Sequence, residues 1–240
     1  MDGIIIVDKP QGWTSFDVCA KIRNLTKTKK VGHSGTLDPM ATGLLLVFLG
    51  KATKIIQYFV GDSKEYLGEL TLGAVTDSMD ATGTLTRLRE GSPPLPEGEG
   101  CPKDRVRDIF KNFIGKQKQK PPMYSAKKIN GKKLYELARK GIEIERPDKD
   151  IEIYSLDLLG ISDNKIRFKV KCTKGTYIRV LAHAIGYELG CGAYLSALRR
   201  TAAGEFRIEQ SITIDQIISL SRADKLDTIL LPYEQTRSKA

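Results

Sequence analysis

Residues 32–43 read GHSGTLDPMATG, and the apolar run LLLVFL follows directly at residues 44–49. The stretch places three glycines, several small hydroxyl residues and one proline around a single aspartate, Asp38. Glycine, proline and short polar residues favour tight turns, so the sequence predicts a compact loop that presents the Asp38 carboxylate. On its residues alone, the loop fits equally well an Asx turn in which Asp38 caps its own backbone.

Hydrophobic periodicity on both sides of this loop predicts a mixture of strands and helices. The N-terminal residues 1–8 predict a strand, and a capping-box pattern at Thr14 opens a helix. Residues 66–72 and 151–159 predict strands, and residues 165–172 alternate apolar with basic side chains, which is typical of a strand with one dry face. The apolar spacing predicts further helices over residues 106–114, 134–138 and 178–189.

The order of these elements indicates the fold class. Because strands and helices are mixed without a regular βα alternation, we expect an α+β fold. Residues 91–102 are rich in proline and glycine and predict a loop or a flexible insertion. The tail after Phe206 predicts a small appendage that packs back on the protein rather than a separate domain.

The excess of positive charge is concentrated in one segment. The chain has 39 lysine and arginine residues against 29 aspartate and glutamate residues, which gives a net charge of +10. Residues 111–140 alone hold ten basic residues and one acidic residue, and residues 21–30 add five basic residues. Such a concentration is typical of a protein that binds nucleic acid. The alternative, a solvated helix face, is disfavoured because Pro121 and Pro122 interrupt the run.

Several other functional classes lack their sequence signatures. The uncharged residues 39–50 are too few for the roughly 20 apolar residues of a membrane span, and the acidic N-terminus is unlike a signal peptide. The four cysteines form no Cys-x-x-Cys pair and the two histidines are not at helical spacing, so we expect structural thiols and no metal site. A phosphate loop is excluded because Leu45 and Ala52 stand where that motif requires glycine and a hydroxyl residue.

Six ordered blocks of sequence resemble the TruB family of tRNA pseudouridine synthases. The loop at residues 32–43 is similar to the catalytic loop of that family. The other blocks are KPQGWTS at 9–15, KEY at 64–66 with TDSMDATG at 76–83, PPMYSAKK at 121–128 with ARKG at 138–141, GTYIR at 175–179 and LRRT at 198–201. Their number and order exclude a chance match.

The resemblance implies a tRNA-modifying isomerase with the pseudouridine synthase fold, in which a mixed, largely antiparallel central sheet is flanked by helices and loops. Members of the family break the N-glycosidic bond of a T-loop uridine, at tRNA position 55, and rejoin C5 of the base to C1′ of the ribose. Asp38 matches their nucleophile. A carboxylate, with a reference pKa of about 3.9, is ionised at neutral pH without a helper base. The resemblance implies no metal ion and no organic cofactor.

Two further residues match the catalytic machinery of the family. Arg179 matches the active-site arginine, whose guanidinium is expected to hold the Asp38 carboxylate by a bidentate pair and keep it anionic. Tyr66 matches the tyrosine that stacks on the target base and is proposed to help remove the C5 proton. Without the resemblance, Arg179 fits a surface residue and Tyr66 fits a core residue.

The remaining matches concern RNA and substrate. The target uridine must be extruded from the folded T loop, and His33 is the candidate to occupy the vacated space or stack on neighbouring bases. Weaker assignments, as residues that line or position the pocket, fall on Lys9, Lys64, Tyr177 and Leu198. Asp80 ranks below them. Residues 111–141 correspond to a basic RNA-binding insertion that closes over the stem-loop, with Lys127, Lys128 and Lys132 as the residues expected to bind RNA.

The chain departs from many family members at its C-terminus. Residues 1–207 are expected to form the catalytic domain and residues 208–240 a short appendage, without the full RNA-binding PUA domain of those members. Relatives of the dyskerin type, which act on guide-RNA complexes, also carry that domain. The resemblance therefore favours a stand-alone cytoplasmic enzyme, a monomer that binds the tRNA T-arm without an obligate protein partner. The competing hypotheses are a non-catalytic tRNA-binding protein or folding chaperone, and a nucleotide-dependent RNA enzyme, which the absent phosphate loop disfavours.

Overall fold

The computed structural model describes residues 1–60, 63–86, 101–125, 127–129, 131–138 and 140–233. In chain order, the strands and α-helices of these residues are β1 (Gly3–Lys9), α1 (Ser15–Thr26), β2 (Val31–Ser34), β3 (Thr42–Leu49), α2 (Ile56–Val60), β4 (Lys64–Leu72), β5 (Val75–Thr76), β6 (Leu85–Thr86), α3 (Lys103–Asn112), β7 (Gly115–Gln119), β8 (Lys128–Ile129), β9 (Lys132–Lys133), α4 (Leu134–Ala138), β10 (Lys149–Ser162), β11 (Lys165–Cys172), α5 (Ile178–Glu188), β12 (Ala193–Ala203), β13 (Phe206–Arg207), β14 (Ile212–Thr213) and α6 (Ile214–Arg222). Among the described helices, none has the length and apolar content that a membrane crossing requires.

The chain divides into two compact units. The first unit comprises residues 1–66 and 198–240, and the second comprises residues 67–197. Strands β4 and β12 run through the boundaries between these ranges, so each unit contains part of both strands.

The sheet of the first unit has the strand order β14-β1-β3-β12, with β2 also paired to β3 and β13 to β12. Strand β1 is antiparallel to β3 over its whole length, whereas β14 is parallel to β1 and β12 is parallel to β3. One face of β1 and β3 packs against α1 and α6, and the other packs against Phe59 and Phe206. Residues 44–49 are apolar without alternation because both faces of β3 are covered.

Helix α1 begins as the sequence predicts. The Thr14 hydroxyl accepts a hydrogen bond from the Asp17 backbone N–H at 3.1 Å, and the Asp17 carboxylate accepts one from the Thr14 backbone N–H at 2.8 Å. This capping box satisfies two backbone donors that the first helical turn leaves without partners. The helix buries Val18 and Ile22 in the core of the first unit, so its start and its apolar face are both confirmed.

The second unit holds strands in the order β12-β4-β11-β10-β7. Strand β10 is antiparallel to both β11 and β7, and its pairing with β11 contains two register irregularities. The predicted alternation of β11 is confirmed, since the apolar side chains of residues 166, 168, 170 and 172 are all buried. The Phe168 ring packs edge-on against Phe110 of α3 at 6.3 Å between centroids, and it passes so close to Gly68 of β4 that a Cβ there would overlap it.

The expected fold class is confirmed. Most strand pairs in both units are antiparallel, with parallel pairs at β1·β14 and β3·β12, and helices flank the sheets. Helix α3 ends at Asn112, two residues before the predicted end of the apolar pattern, because the chain turns at Phe113 into β7. The loop prediction for residues 91–102 falls almost wholly outside the described residues. All four cysteines are buried, and burial raises the pKa of the Cys19 thiol to about 11.

Candidate active site

The loop of residues 32–43 is fixed to the segment of residues 9–15 by hydrogen bonds of three residues, Lys9, Gly12 and Ser15. The Ser15 hydroxyl accepts a hydrogen bond from the Leu37 N–H at 2.9 Å, and the Gly12 N–H donates to the Pro39 carbonyl at 2.8 Å. The Lys9 ammonium also donates to the Pro39 carbonyl, at 3.4 Å. These contacts flank Asp38 on both sides, so the backbone that carries its carboxylate is held from outside the loop.

Lys9 is completely buried at the end of β1. Its ammonium donates to the carbonyls of Pro10 at 2.9 Å and Trp13 at 2.6 Å, besides that of Pro39. Burial lowers the Lys9 pKa to about 8, while the negative charge of Asp38 acts in the opposite direction. Its full burial and its three carbonyl partners indicate that Lys9 positions the backbone beside Asp38. Contact of Lys9 with RNA stays a prediction.

Asp38 is half-buried between these anchors. Its backbone carbonyl accepts a hydrogen bond from the Ala41 N–H at 3.0 Å, which closes a turn immediately after the aspartate. The loop then enters β3, where Gly43 pairs with Arg200 of the parallel strand β12. Gly43 has a φ of +100°, and a Cβ at this position would overlap the Arg200 backbone, so the junction requires glycine.

The Arg200 side chain is fully buried beneath the loop. Its Nε donates to the Leu44 carbonyl at 2.6 Å and its Nη2 donates to the Gly35 carbonyl at 3.1 Å. Burial lowers the pKa of Arg200, and the Tyr66 oxygen opposes that shift. One buried cation therefore joins the loop, at Gly35, to β3, at Leu44.

Tyr66 and Lys64 both lie on β4 with buried side chains, Tyr66 being 8% exposed and Lys64 4% exposed. The Lys64 ammonium donates to the Phe59 carbonyl at 3.4 Å. The Lys64 side chain also lies beside the loop at Gly35, where an added Cβ would be 3.7 Å from the Lys64 Cε. Leu198 is half-buried on β12, two residues before Arg200. The first unit thus gathers Asp38, Lys9, Lys64 and Tyr66 around the backbone that Arg200 holds.

His33 lies on β2 opposite Val47 of β3 and is half-buried. Its ring meets the Phe16 ring edge-on at 5.8 Å between centroids, and Phe16 is 72% exposed. Burial, with a contribution from the Arg200 charge, lowers the pKa of His33, so the imidazole is neutral at pH 7. A neutral ring beside an exposed aromatic side chain suits stacking on a base, although this role of His33 stays a prediction.

In the second unit, Arg179 lies in the first turn of α5 with a buried side chain. Its Nη1 lies 3.3 Å from Oδ2 of Asp80, and its Nη2 donates to the Tyr124 carbonyl at 2.6 Å. Asp80 is also buried, and its Oδ1 accepts hydrogen bonds from the Ser78 hydroxyl at 2.7 Å and the Thr82 hydroxyl at 2.6 Å. Asp80, which sequence reasoning ranked last, therefore holds Arg179 directly.

Tyr177 is fastened to Gln119, the last residue of β7. The Gln119 amide oxygen accepts from the Tyr177 N–H at 2.8 Å, and its amide nitrogen donates to the Tyr177 carbonyl at 3.1 Å. The Arg179 guanidinium carbon lies 5.9 Å from the centroid of the half-buried Tyr177 ring. Arg179 and Tyr177 are thus neighbours, as the resemblance implies for two residues of one block.

The basic segment, residues 111–141, contains β7, β8, β9 and α4. Lys132 is exposed and Lys127 is half-buried, whereas the side chain of Lys128 lies outside the described part of the structure. The lysine charges influence one another, since burial and the charges of Lys174 and Lys127 all lower the pKa of Lys149. Charged groups that already repel one another favour the approach of an anion.

Sequence reasoning missed the role of Arg200 and underestimated Asp80. Arg200 occurred only as one letter of the block at residues 198–201, and no local pattern distinguishes it from the neighbouring Arg199. The hydroxyl residues around Asp80, Ser78 and Thr82, are a signal that could have identified a buried carboxylate. The expected bidentate pair of Arg179 with Asp38 stays a prediction. The described residues contain no group of three or more histidine, cysteine, aspartate or glutamate side chains placed to hold a metal ion.

Two family models match the chain. Residues 23–178 match the N-terminal domain of the TruB family of pseudouridylate synthases, and residues 179–236 match the C-terminal domain of tRNA pseudouridylate synthase B. The expected domain boundary at residue 207 falls inside the second match, and this boundary stays a prediction.

Several curated relatives carry the same name. The chain is 45% identical over 235 residues to tRNA pseudouridine synthase B of Opitutus terrae, covering 98% of this chain and 94% of the relative. It is 43% identical over 241 residues to the protein of that name from Geobacillus thermodenitrificans, covering 98% of this chain and 78% of the relative.

Among solved structures, the chain resembles one from a Cbf5-Nop10-Gar1 complex, with a TM-score of 0.73 and 30% identity. The match covers 97% of this chain, which spans only 60% of that chain. The loop around Asp38, the order of the strands and the family matches over residues 23–236 together assign the protein: this chain belongs to the TruB family of pseudouridine synthases.

Proposed function

We propose that this chain is a tRNA pseudouridine synthase that isomerises the T-loop uridine at tRNA position 55, with Asp38 as the nucleophile. The observation that carries this proposal is the half-buried Asp38 carboxylate in a loop whose flanking residues are fixed by the buried side chains of Lys9, Ser15 and Arg200. A nucleophile held on a preorganised backbone spends little free energy on reaching its target. Relatives 42–48% identical, all named tRNA pseudouridine synthase B, support the same activity.

The reaction conserves all atoms of the substrate. The bond between N1 of uracil and C1′ of ribose breaks, the base turns, and C5 bonds to C1′. The C5 proton passes to solvent and N1 takes up one proton, so the product is an isomer of the substrate. The Asp38 carboxylate assists by adding to the ribose or the base, or by promoting glycal formation, and then it leaves. The carboxylate acts in its ionised form, which the positive charge of the buried Lys9 favours.

The other site residues take roles that follow from their surroundings. Tyr66 stacks on the target base and assists removal of the C5 proton, and His33 occupies the space that the extruded base leaves. Arg179, held by Asp80, contributes fixed positive charge. The position of Arg179 next to the Asp38 carboxylate is part of this proposal.

The substrate partner in this proposal is the T-arm stem-loop of tRNA. The ten basic residues at positions 111–140 supply a surface for its phosphates. We further propose that the chain acts as a cytoplasmic monomer without an obligate protein partner. This last point separates it from the Cbf5 chain that it resembles, whose solved structure is a complex with Nop10 and Gar1.

The test measures tritium release from tRNA labelled at uridine C5, with no added nucleotide, for the wild type and for Asp38→Asn. The variant should bind tRNA with an unchanged Kd but release no tritium, because the amide cannot act as the nucleophile. Asp163→Asn, at an exposed turn with a φ of +52°, is the matched control and should react like the wild type.

Each alternative predicts a different result in the same assay. A wild type that binds tRNA but releases no tritium would be the non-catalytic tRNA-binding protein or chaperone. Release that requires ATP or GTP would indicate a nucleotide-dependent enzyme. Undiminished release by Asp38→Asn would remove Asp38 from the mechanism.

A further inference from the structure

Helix α1 turns one face to solvent, and the proposed function gives this face no task. Its opposite face covers the core of the first unit. The exposed side chains include Phe16, Ala20 and Arg23, and Lys27 follows them as the exposed residue that caps the helix. Because Phe16, Ala20 and Arg23 are four and three positions apart, they follow one another along a single face. This face begins with an aromatic ring and ends with positive charge.

Phe16 is fixed next to the loop that carries Asp38. The residue before it, Ser15, exchanges two hydrogen bonds with Leu37, which is the residue before Asp38. The Ser15 hydroxyl accepts from the Leu37 N–H at 2.9 Å and donates to the Leu37 carbonyl at 3.2 Å. Phe16 and Asp38 are each one residue, about 3.8 Å along the chain, from this junction. A base beside a uridine that reacts with Asp38 is therefore within reach of the Phe16 ring.

The Phe16 ring is supported on one side and open to solvent on the other. Its plane stands at 87° to the His33 imidazole, with 5.8 Å between the ring centroids, so the two rings meet edge-on. Phe16 is nevertheless 72% exposed. Covering such an apolar surface with another flat surface is favourable, and the flat groups of RNA are its bases. Stacking tolerates any base, because every base has a π-face.

The far end of α1 supplies the charge that an RNA strand requires. The exposed cations at and beyond this end are Arg23, Lys27, Lys29 and Lys30. The helix rises about 16 Å from Phe16 to Lys27, at about 1.5 Å per residue. The acidic residue of this stretch is Asp17, at the opposite end, where its carboxylate caps the helix through Thr14. Positive charge therefore dominates the end of α1 that lies away from Phe16.

We propose that the α1 surface, formed by Phe16, Arg23, Lys27, Lys29 and Lys30, is a second RNA-binding surface of this chain. Phe16 stacks on a base next to the extruded uridine, and the four cations bind phosphates of the strand that leads away from it. This inference rests on the proposed function. It gives a task to the basic run at residues 21–30, which lies in the first unit, whereas the basic segment belongs to the second.

The first experiment measures the Kd of T-arm hairpins for the wild type and for Phe16→Ala. Phe16 is exposed and alanine favours helix, so the variant keeps the fold. On the intact hairpin we expect the Kd to rise about tenfold, as the loss of one base–aromatic stack can cause. Two further hairpins lack the base on the 5′ or the 3′ side of the target uridine. On one of them the two proteins should bind equally, because the stacked base is already absent.

Tyr187→Ala is the matched control, since it removes a ring that is 66% exposed from another helix, α5. It should leave the Kd of every hairpin unchanged. A Phe16→Ala protein that binds the intact hairpin like the wild type, or that loses the same affinity on all three hairpins, would overturn the inference. The proposed function fails in a different way, namely when the wild type releases no tritium.

The second experiment tests the cations of the α1 surface. The double variant Arg23→Gln with Lys27→Gln should reduce the slope of log Kd against log salt by about 2 on the intact hairpin. Arg222→Gln with Lys225→Gln removes the same charge from exposed positions at the end of α6 and should leave the slope unchanged. An unchanged slope in the first variant would make this a solvated helix face, and equal changes in both variants would show only general attraction. Either result would overturn the inference.

Discussion

The Asp38 loop and the basic segment are built in opposite ways. Within 12 residues the loop of residues 32–43 receives hydrogen bonds from four residues outside it, and three of these four donate from buried side chains: Lys9, Ser15 and Arg200, with Gly12 donating from its backbone. The basic segment has more than twice that length, and its helix α4 and its strands β7, β8 and β9 are each five residues or shorter. Its Lys132 and Lys140 side chains are exposed.

The difference fits the two kinds of recognition that we propose for these regions. A nucleophile must meet one atom of the substrate, so its backbone is fixed before the substrate arrives. Phosphates along an RNA stem can be met by any lysine within reach, so exposed charge on short elements is sufficient. Single substitutions should therefore have large effects in the loop and graded effects in the basic segment.

The largest expected effect comes from Gly43→Ala at the junction of the loop with β3. The φ of +100° is unfavourable for alanine, and the added Cβ would overlap the Arg200 backbone. Together, strain and overlap should lower the free energy of unfolding by about 3 kcal/mol, measured by urea denaturation.

Gly12→Ala is the matched control for that measurement. Gly12 has a φ of +81°, but a Cβ there would meet no atom within 4 Å, so only the backbone strain of about 1 kcal/mol remains. An equal reduction in the two variants would show that the approach of Arg200 to Gly43 contributes nothing to the loop.

The next effect concerns the point where the basic segment is itself anchored. Asp80→Asn removes the negative charge that partners the buried Arg179, which in turn holds the Tyr124 carbonyl. Loss of one member of a buried ion pair should cost about 3 kcal/mol of unfolding free energy. Trypsin should also cleave the basic segment faster in the variant, because the segment loses its attachment at Tyr124.

Asp77→Asn provides the comparison, since the exposed Asp77 accepts from the Thr84 N–H at 2.9 Å and from the Tyr124 hydroxyl at 3.4 Å. We expect the free energy of unfolding to fall by about 1 kcal/mol and trypsin cleavage to stay unchanged. If cleavage accelerates equally in both variants, the bond from Arg179 to the Tyr124 carbonyl is not what holds the segment.

The smallest effect should come from the lysines themselves. The double variant Lys127→Glu with Lys132→Glu should weaken tRNA binding roughly tenfold and reduce the slope of log Kd against log salt by about 2, because each lysine neutralises about one phosphate. Lys225→Glu, an exposed charge reversal outside both basic clusters, should change neither quantity. An unchanged slope in the double variant would place the segment away from the phosphates.

The features that the sequence could predict are those that depend on residues close together in the chain. Thr14 with Asp17 and the alternation of residues 165–172 are local patterns, and local geometry alone made α1 and β11 predictable. Asp38 became the candidate nucleophile because its loop resembles a family motif over consecutive residues, and that role stays a prediction. Each of these signals lies within one stretch of chain.

Arg200 could not be predicted in this way because its role depends on partners far away in sequence. It meets Gly35 and Leu44 across 165 and 156 positions, and Asp80 meets Arg179 across 99. No spacing rule covers such distances, and a buried arginine looks in sequence like a solvent-exposed one. The residues that could not be predicted are those that hold the candidate site residues through contacts distant in sequence.

The partnership of Arg200 with the loop also has a consequence for synthesis. A ribosome produces Asp38 more than 160 residues before the side chain that fixes its loop. Pairing across such separations is slow compared with the formation of local structure. An incomplete nascent chain therefore carries Asp38 without the buried arginine that holds its loop, and the loop can reach its final arrangement only after β12 has emerged.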